Sequence, residues 1–190
     1  LLIALLNRPN QQLEKDFKTS RGQIVIEGLK QKNSIEAINK IKKIDVNKWK
    51  PFNVIIADYK EAYWIKNNGF SPLEISTIPM GVSMIDSKDL NDLNSDKFVK
   101  YYKNFCSSIP KGPDKVHWKD WIETMSKKSS YKEDPLLGIT VDTNNKSYGT
   151  VCSSLISIPN PNLLKEKIQW QYCDGAPKFE KFKNIFTLTF

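Results

Sequence analysis

Histidine occurs once in the 190 residues, at position 117, and cysteine only three times, at 106, 152 and 173. Zinc sites need grouped Cys and His side chains, so this sparse set offers none. Three scattered cysteines also make no disulfide framework, which points to a reducing, cytoplasmic location. Arginine is nearly missing: Arg8 and Arg21 are the only two among 29 basic residues. Reading base edges relies on the planar guanidinium fork. The net charge of +8 therefore reads as a lysine-rich solvated surface rather than a specific nucleic-acid site. No apolar run approaches the roughly 20 residues of a membrane span, so no transmembrane segment is expected. The apolar opening Leu1–Leu6 has neither a basic leader nor a small-residue cleavage site, and reads as a core strand entered partway rather than a signal peptide. The sequence contains no phosphate-cradling glycine loop, nucleophile elbow, metal-binding helix, internal repeat or low-complexity tract.

What is present describes a folded globule. The hydrophobic fraction is 39% and there are five tryptophans, enough for the core of a single domain spanning 1–190. Leu1–Leu6 predicts a buried strand that stops at the turn Asn7-Arg8-Pro9-Asn10, because Pro9 cannot donate to a ladder. Ser20 is placed to cap a helix over Arg21–Gln31. Ser34 is placed to cap a second, with Ile35, Ile38 and Ile41 on one face. The period then changes: Phe52–Asp58 and Glu61–Asn67 predict a hairpin around Tyr59-Lys60. Leu73–Ile78 and Gly81–Ile85 predict two more strands. Ser95 caps a helix whose Phe98, Tyr101, Tyr102, Phe105 and Ile109 recur at helical spacing. Within Lys111–Asp134, which holds Pro113, a short helix covers Trp118–Lys127. Tyr148–Ile158, Glu166–Cys173 and Asn184–Phe190 predict three closing strands. The order of elements is that of an α+β fold, antiparallel sheet covered by helices.

Few residues invite chemistry. Asn7-Arg8-Pro9 sets an amide and a guanidinium at the mouth of a strand, a common place for site residues, although an ordinary strand-ending turn explains the same spacing. Ser20-Arg21-Gly22 fits a helix cap. His117 with Trp118 and Trp121 reads as a packed surface cluster rather than a catalytic base. Cys152 beside Ser153 and Ser154 has no histidine near it in sequence and reads as a small strand residue.

Taken in order, Ala4-Leu5-Leu6-Asn7-Arg8-Pro9, Ser20-Arg21-Gly22, Phe52-Asn53-Val54-Ile55-Ile56-Ala57-Asp58, Pro79-Met80-Gly81-Val82-Ser83, Tyr148-Gly149-Thr150 and the final Phe190 resemble the NRDE family of transport and Golgi organisation 2-like proteins. The resemblance implies a four-layer αββα sandwich of antiparallel sheets, similar to N-terminal nucleophile hydrolases. The chain would be the C-terminal two-thirds of such a domain, with the family's Met-Cys start, its Asn-Arg-Asp-Glu signature and the first strands preceding Leu1. The family's nucleophile would then be an upstream cysteine whose own amine serves as base. Asn7 and Thr150 would support catalysis, and Arg8, Ser83 and Tyr148 would line the ligand pocket.

Two positions depart from the family pattern. Met84 stands where an asparagine suited to an oxyanion hole is usual, and losing such a donor costs about 2.7–4 kcal/mol of transition-state stabilisation. Val151 stands where arginine is usual. The resemblance therefore supports two expectations. One is a cysteine amidohydrolase or acyl-transfer enzyme acting on non-peptide C–N bonds. The other is a non-enzymatic carrier that uses the same pocket for a small-molecule or lipid-like ligand. No cofactor is expected; haem is the most concrete ligand, with His117, Cys106, Cys152, Cys173 and the Met and Tyr residues as axial candidates, none of them in a haem motif.

Overall fold

The computed structural model describes residues 1–9, 19–69, 72–112, 117–129, 134–143, 148–162 and 168–188. Asn10, Pro113, Glu166 and Phe190 of the sequence reading lie outside these residues. The α+β expectation holds: the described residues form two antiparallel sheets and four α-helices. They divide into two compact units, Leu1–Asp92 and Leu93–Phe190.

In the first unit a four-stranded sheet runs in the order β1 (Leu2–Asn7), β2 (Phe52–Ala57), β3 (Ala62–Asn67), β4 (Glu74–Thr77). Every neighbouring pair is antiparallel. The helices α1 (Gly22–Leu29) and α2 (Ser34–Ile41) connect β1 to β2. Alternation along β2 sends Phe52, Val54 and Ile56 into one core with Ile3, Ile24, Ile38, Ile41 and Ile65. The predicted hairpin forms: Ala57 pairs with Ala62, and the Asp58 carboxylate accepts from the amides of Lys60 and Glu61.

Several local expectations are corrected. Among the described residues β1 pairs only with β2, and of its six residues only Ile3 is buried, since its other face lies outside the helix-covered core. α1 begins without a side-chain cap; Ser20 contributes its carbonyl to Gln23 instead. α2 is capped by Asn33, whose side chain accepts from the Glu36 amide at 2.9 Å, while Asp58 accepts from the Ser34 amide. Ser34 thus sits inside the first turn. The buried face of α2 is Ser34, Ala37, Ile38 and Ile41, and Ile35 is exposed. Gly81–Ile85 pairs with no strand among the described residues.

In the second unit, α3 (Asp96–Cys106) and α4 (Lys119–Met125) precede a three-stranded sheet in the order β5 (Cys152–Ser157), β6 (Ile168–Asp174), β7 (Lys183–Leu188). Ser95 caps α3 as expected, accepting from the Phe98 amide. The helix ends at Cys106, so Ile109 lies beyond it and is exposed. Trp121 joins the two helices: its indole donates to the Phe105 carbonyl, and its ring meets Phe105 and Trp118 edge-on. Ile122, Leu155, Cys173 and Phe182 form the core. The strand predicted from Tyr148 starts later, at Cys152; Tyr148–Thr150 forms only an isolated bridge, Gly149 to Asp142.

Candidate functional site

The face of the first sheet turned away from α1 and α2 carries Leu2, Ala4, Ile55 and Ala57 together with a polar group at one end. Cross-strand register places Leu6, Asn53, Lys66 and Glu74 in one row, with Trp64 on the same face two residues along β3 from Lys66. Asn53 is fully buried and uses every hydrogen-bonding position it has. Its Oδ1 accepts from Arg8 Nη1 and from Trp64 Nε1, both at 3.0 Å. Its Nδ2 donates to the carbonyls of Asp86 and Lys88. Arg8 adds a bond to the Lys88 carbonyl at 2.8 Å and an ion pair to Asp89 at 2.7 Å. Lys66 closes the group by pairing with Asp89 and Glu74.

Electrostatics follow from this packing. Burial pushes the Asp89 carboxyl up, but its bonds to Lys66 and Arg8 outweigh that and hold it below the usual carboxylate range. Burial pulls the Lys66 ammonium down, and Glu74 and Asp89 more than compensate, leaving it above the ordinary lysine value. The cluster binds the 86–89 loop to the strand ends. Arg8, expected as a pocket residue, has its guanidinium committed to Asn53, Lys88 and Asp89. Asn7 is the last residue of β1 and is exposed.

Ser83 belongs to the same unit and also serves the loop. Its hydroxyl accepts from Asn91 Nδ2 at 3.2 Å, and Asn91 Oδ1 accepts from the Met84 amide at 2.9 Å. Asn91 has a φ of 53°, a left-handed conformation that asparagine tolerates better than most residues. The Met84 amide is thereby occupied by an internal bond.

Tyr148 and Thr150 meet in the second unit. They line an open cleft of about 330 Å³ with Thr140, Val141, Asp142, Gly149, Val151 and Ala176. Its frame is a short ladder between two segments of the chain. Thr150 N–H donates to the Val141 carbonyl at 2.8 Å, and Thr150 Oγ1 accepts from the Val141 amide at 2.9 Å. Gly175 turns the chain after β6 with a φ of 82°, where a side chain would be strained, and its amide donates to the Val151 carbonyl. Tyr148 and Val151 are 66% and 79% exposed, so the rim presents apolar surface to water.

The axial candidates fall apart in burial: Cys106, Cys152 and His117 are exposed, and Cys173 is buried in the core. No group of three His, Cys, Asp or Glu among the described residues could hold a metal ion. No helix among them is long and apolar enough to cross a membrane.

Sequence reading missed Asn53, Lys66, Asp89 and Asn91 as organising residues. Asn53 carried the one available signal, an amide within the otherwise apolar run Phe52–Ala57.

Comparison with the curated proteins finds no match. A family model described as Transport and Golgi organisation 2 matches residues 2–165. That span holds the clamped loop, the Tyr148–Thr150 cleft and every ordered motif from Ala4 to Thr150, and the chain belongs to the Transport and Golgi organisation 2 family.

Proposed function

We propose that this chain is the ligand-holding part of a non-enzymatic carrier, and that its Tyr148–Val151 cleft takes a small amphiphilic ligand, haem or lipid-like. The observation that carries this reading is the cleft itself. Exposed Tyr148 and Val151 stand over a frame fixed by the paired bonds of Thr150 and Val141. A rigid polar frame with an apolar rim is what orients an amphiphile and covers its apolar part. At about 330 Å³ the cleft lies at the lower end of the ~300–1,000 Å³ usual for ligand sites. It suits the edge or headgroup of a ligand better than complete enclosure. Met84, whose side chain has no donor, stands where the resemblance implies an asparagine, and this further favours carriage over acyl chemistry. The αββα sandwich is the fold this reading adopts.

The full chain is titrated with haem, followed at the Soret band, and with a fluorescent fatty-acid analogue. At least one ligand saturates the protein, and Val151→Glu weakens that ligand at least about tenfold by placing a charge on the apolar rim. Binding that Val151→Glu leaves unchanged, or no saturable binding of either ligand, rejects the carrier reading.

The hydrolase reading draws on one observation, the exposed amide of Asn7 at the mouth of β1. A covalent adduct on an N-terminal cysteine of the full-length protein, formed across a panel of amide and ester probes, would favour it over carriage.

A further inference from the structure

The basic charge of the chain is concentrated. Residues 21–50 hold eight basic and three acidic side chains, a net +5 of the chain's +8. This segment contains α1 and α2, whose outward positions are only partly polar. On α1 the exposed Ile26 and Leu29 stand three residues apart, at 58% and 50% exposure. On α2 the exposed Ile35 (45%) lies beside Lys32 and Lys60 and also Glu36, Asp58 and Glu61, and the line from it at helical spacing runs through Asn39 to the exposed Lys42. The turn joining Leu29 to Ile35 carries Lys30 and Lys32, both exposed. Glu27 pairs with Lys30 and Lys40, and the Glu36 carboxylate accepts from the Lys32 amide, whereas among the described residues no carboxylate forms an ion pair with the ammonium group of Lys32, Lys42 or Lys43.

We propose that this outer face of α1 and α2 docks peripherally on an anionic lipid bilayer. Two features select that partner. Unneutralised lysines are attracted to a negatively charged leaflet. Exposed isoleucine and leucine side chains gain by entering the boundary between headgroups and acyl chains, which a purely polyanionic partner does not offer. Both helices are short, so the docking is reversible. The proposal does not depend on the carrier reading, because none of these residues lines the Tyr148–Val151 cleft.

The test is co-sedimentation of the full chain with vesicles of phosphatidylcholine alone and of phosphatidylcholine mixed with phosphatidylserine. The chain sediments with the mixed vesicles, at least about tenfold more tightly than with phosphatidylcholine, and the advantage shrinks as salt is raised. The pairs Ile26→Ser with Leu29→Ser, and Lys42→Glu with Lys43→Glu, each reduce binding roughly tenfold or more. Circular dichroism of each variant matches the parent, since all four side chains are exposed, and Ile35→Ser provides an independent apolar variant. Absence of sedimentation with the mixed vesicles overturns the proposal. So does full binding by the isoleucine–leucine pair variant, or equal binding to soluble heparin that ignores the apolar substitutions; either result leaves a lysine effect only.

Discussion

Asn53 shows how much one residue can organise. Two acceptor bonds and two donor bonds converge on a side chain with no access to water. Asn53→Ala would deprive the Trp64 indole and the Asp86 carbonyl of their Asn53 partner, while the Lys88 carbonyl keeps Arg8, and each unpaired buried group costs about 1–3 kcal/mol. The expected loss is about 3 kcal/mol in urea unfolding, and a loss below about 1 kcal/mol would mean the cluster is not a clamp. Asp89 gives the same cluster a pH signature. Its carboxyl is depressed, so its stabilisation is complete above the unfolded value of about 3.9 and is lost as pH falls through the lower folded value. Lys66 is raised, so its share is complete below about 10.4 and is lost as pH rises through the higher folded value. Stability from the clamp should therefore be flat between about pH 5 and 9. Asp89→Asn should reduce the acid-side slope, to which the likewise depressed Asp58 also contributes, as read from thermal midpoints against pH; an unaltered slope would place it elsewhere. An amide inside an apolar strand was visible in the sequence, but its partners, Asp86 and Lys88, lie 33 and 35 residues away in a loop without any periodic pattern.

At the scale of elements, α1 lies close to β1 because Gly28 presents no side chain. A Cβ at that position would overlap the Cδ1 of Ile3 and touch that of Ile41. Alanine should improve helix propensity by about 1 kcal/mol, while overpacking costs about 1–3 kcal/mol. We expect Gly28→Ala to destabilise, and Ile3→Val in the same chain to recover part of the loss, a coupling that a double-mutant cycle measures. Additive effects would show that the two residues do not share this space. Elements with strong local patterns were legible: the β2–β3 hairpin, α3 with its Ser95 cap, and α4. Errors arose where local pattern is ambiguous. Gly81–Ile85 has strand-like composition, yet Asn91 ties Ser83 and Met84 through side-chain bonds and no strand pairs there. Asn33 and Ser34 are both good capping residues, and the choice between them rests on the Asp58 carboxylate, 24 residues from Ser34.

On the scale of the whole molecule, short motifs spread from Ala4 to Thr150 carried the family, because their order survives even where each alone is weak. Roles were less legible than membership. Arg8 and Ser83 bond a loop and Thr150 bonds Val141, contacts that no motif spells out, since a motif records residue types and not which atoms they bond. The central claim is that the Tyr148–Val151 cleft receives the ligand, and hydrogen exchange of the full chain with and without bound ligand tests it most directly. Using whichever of haem or the fatty-acid analogue saturates the protein, the account predicts slowed exchange at the amides of Val141, Thr150 and Val151. Protection that leaves those three amides unchanged while appearing elsewhere would contradict it.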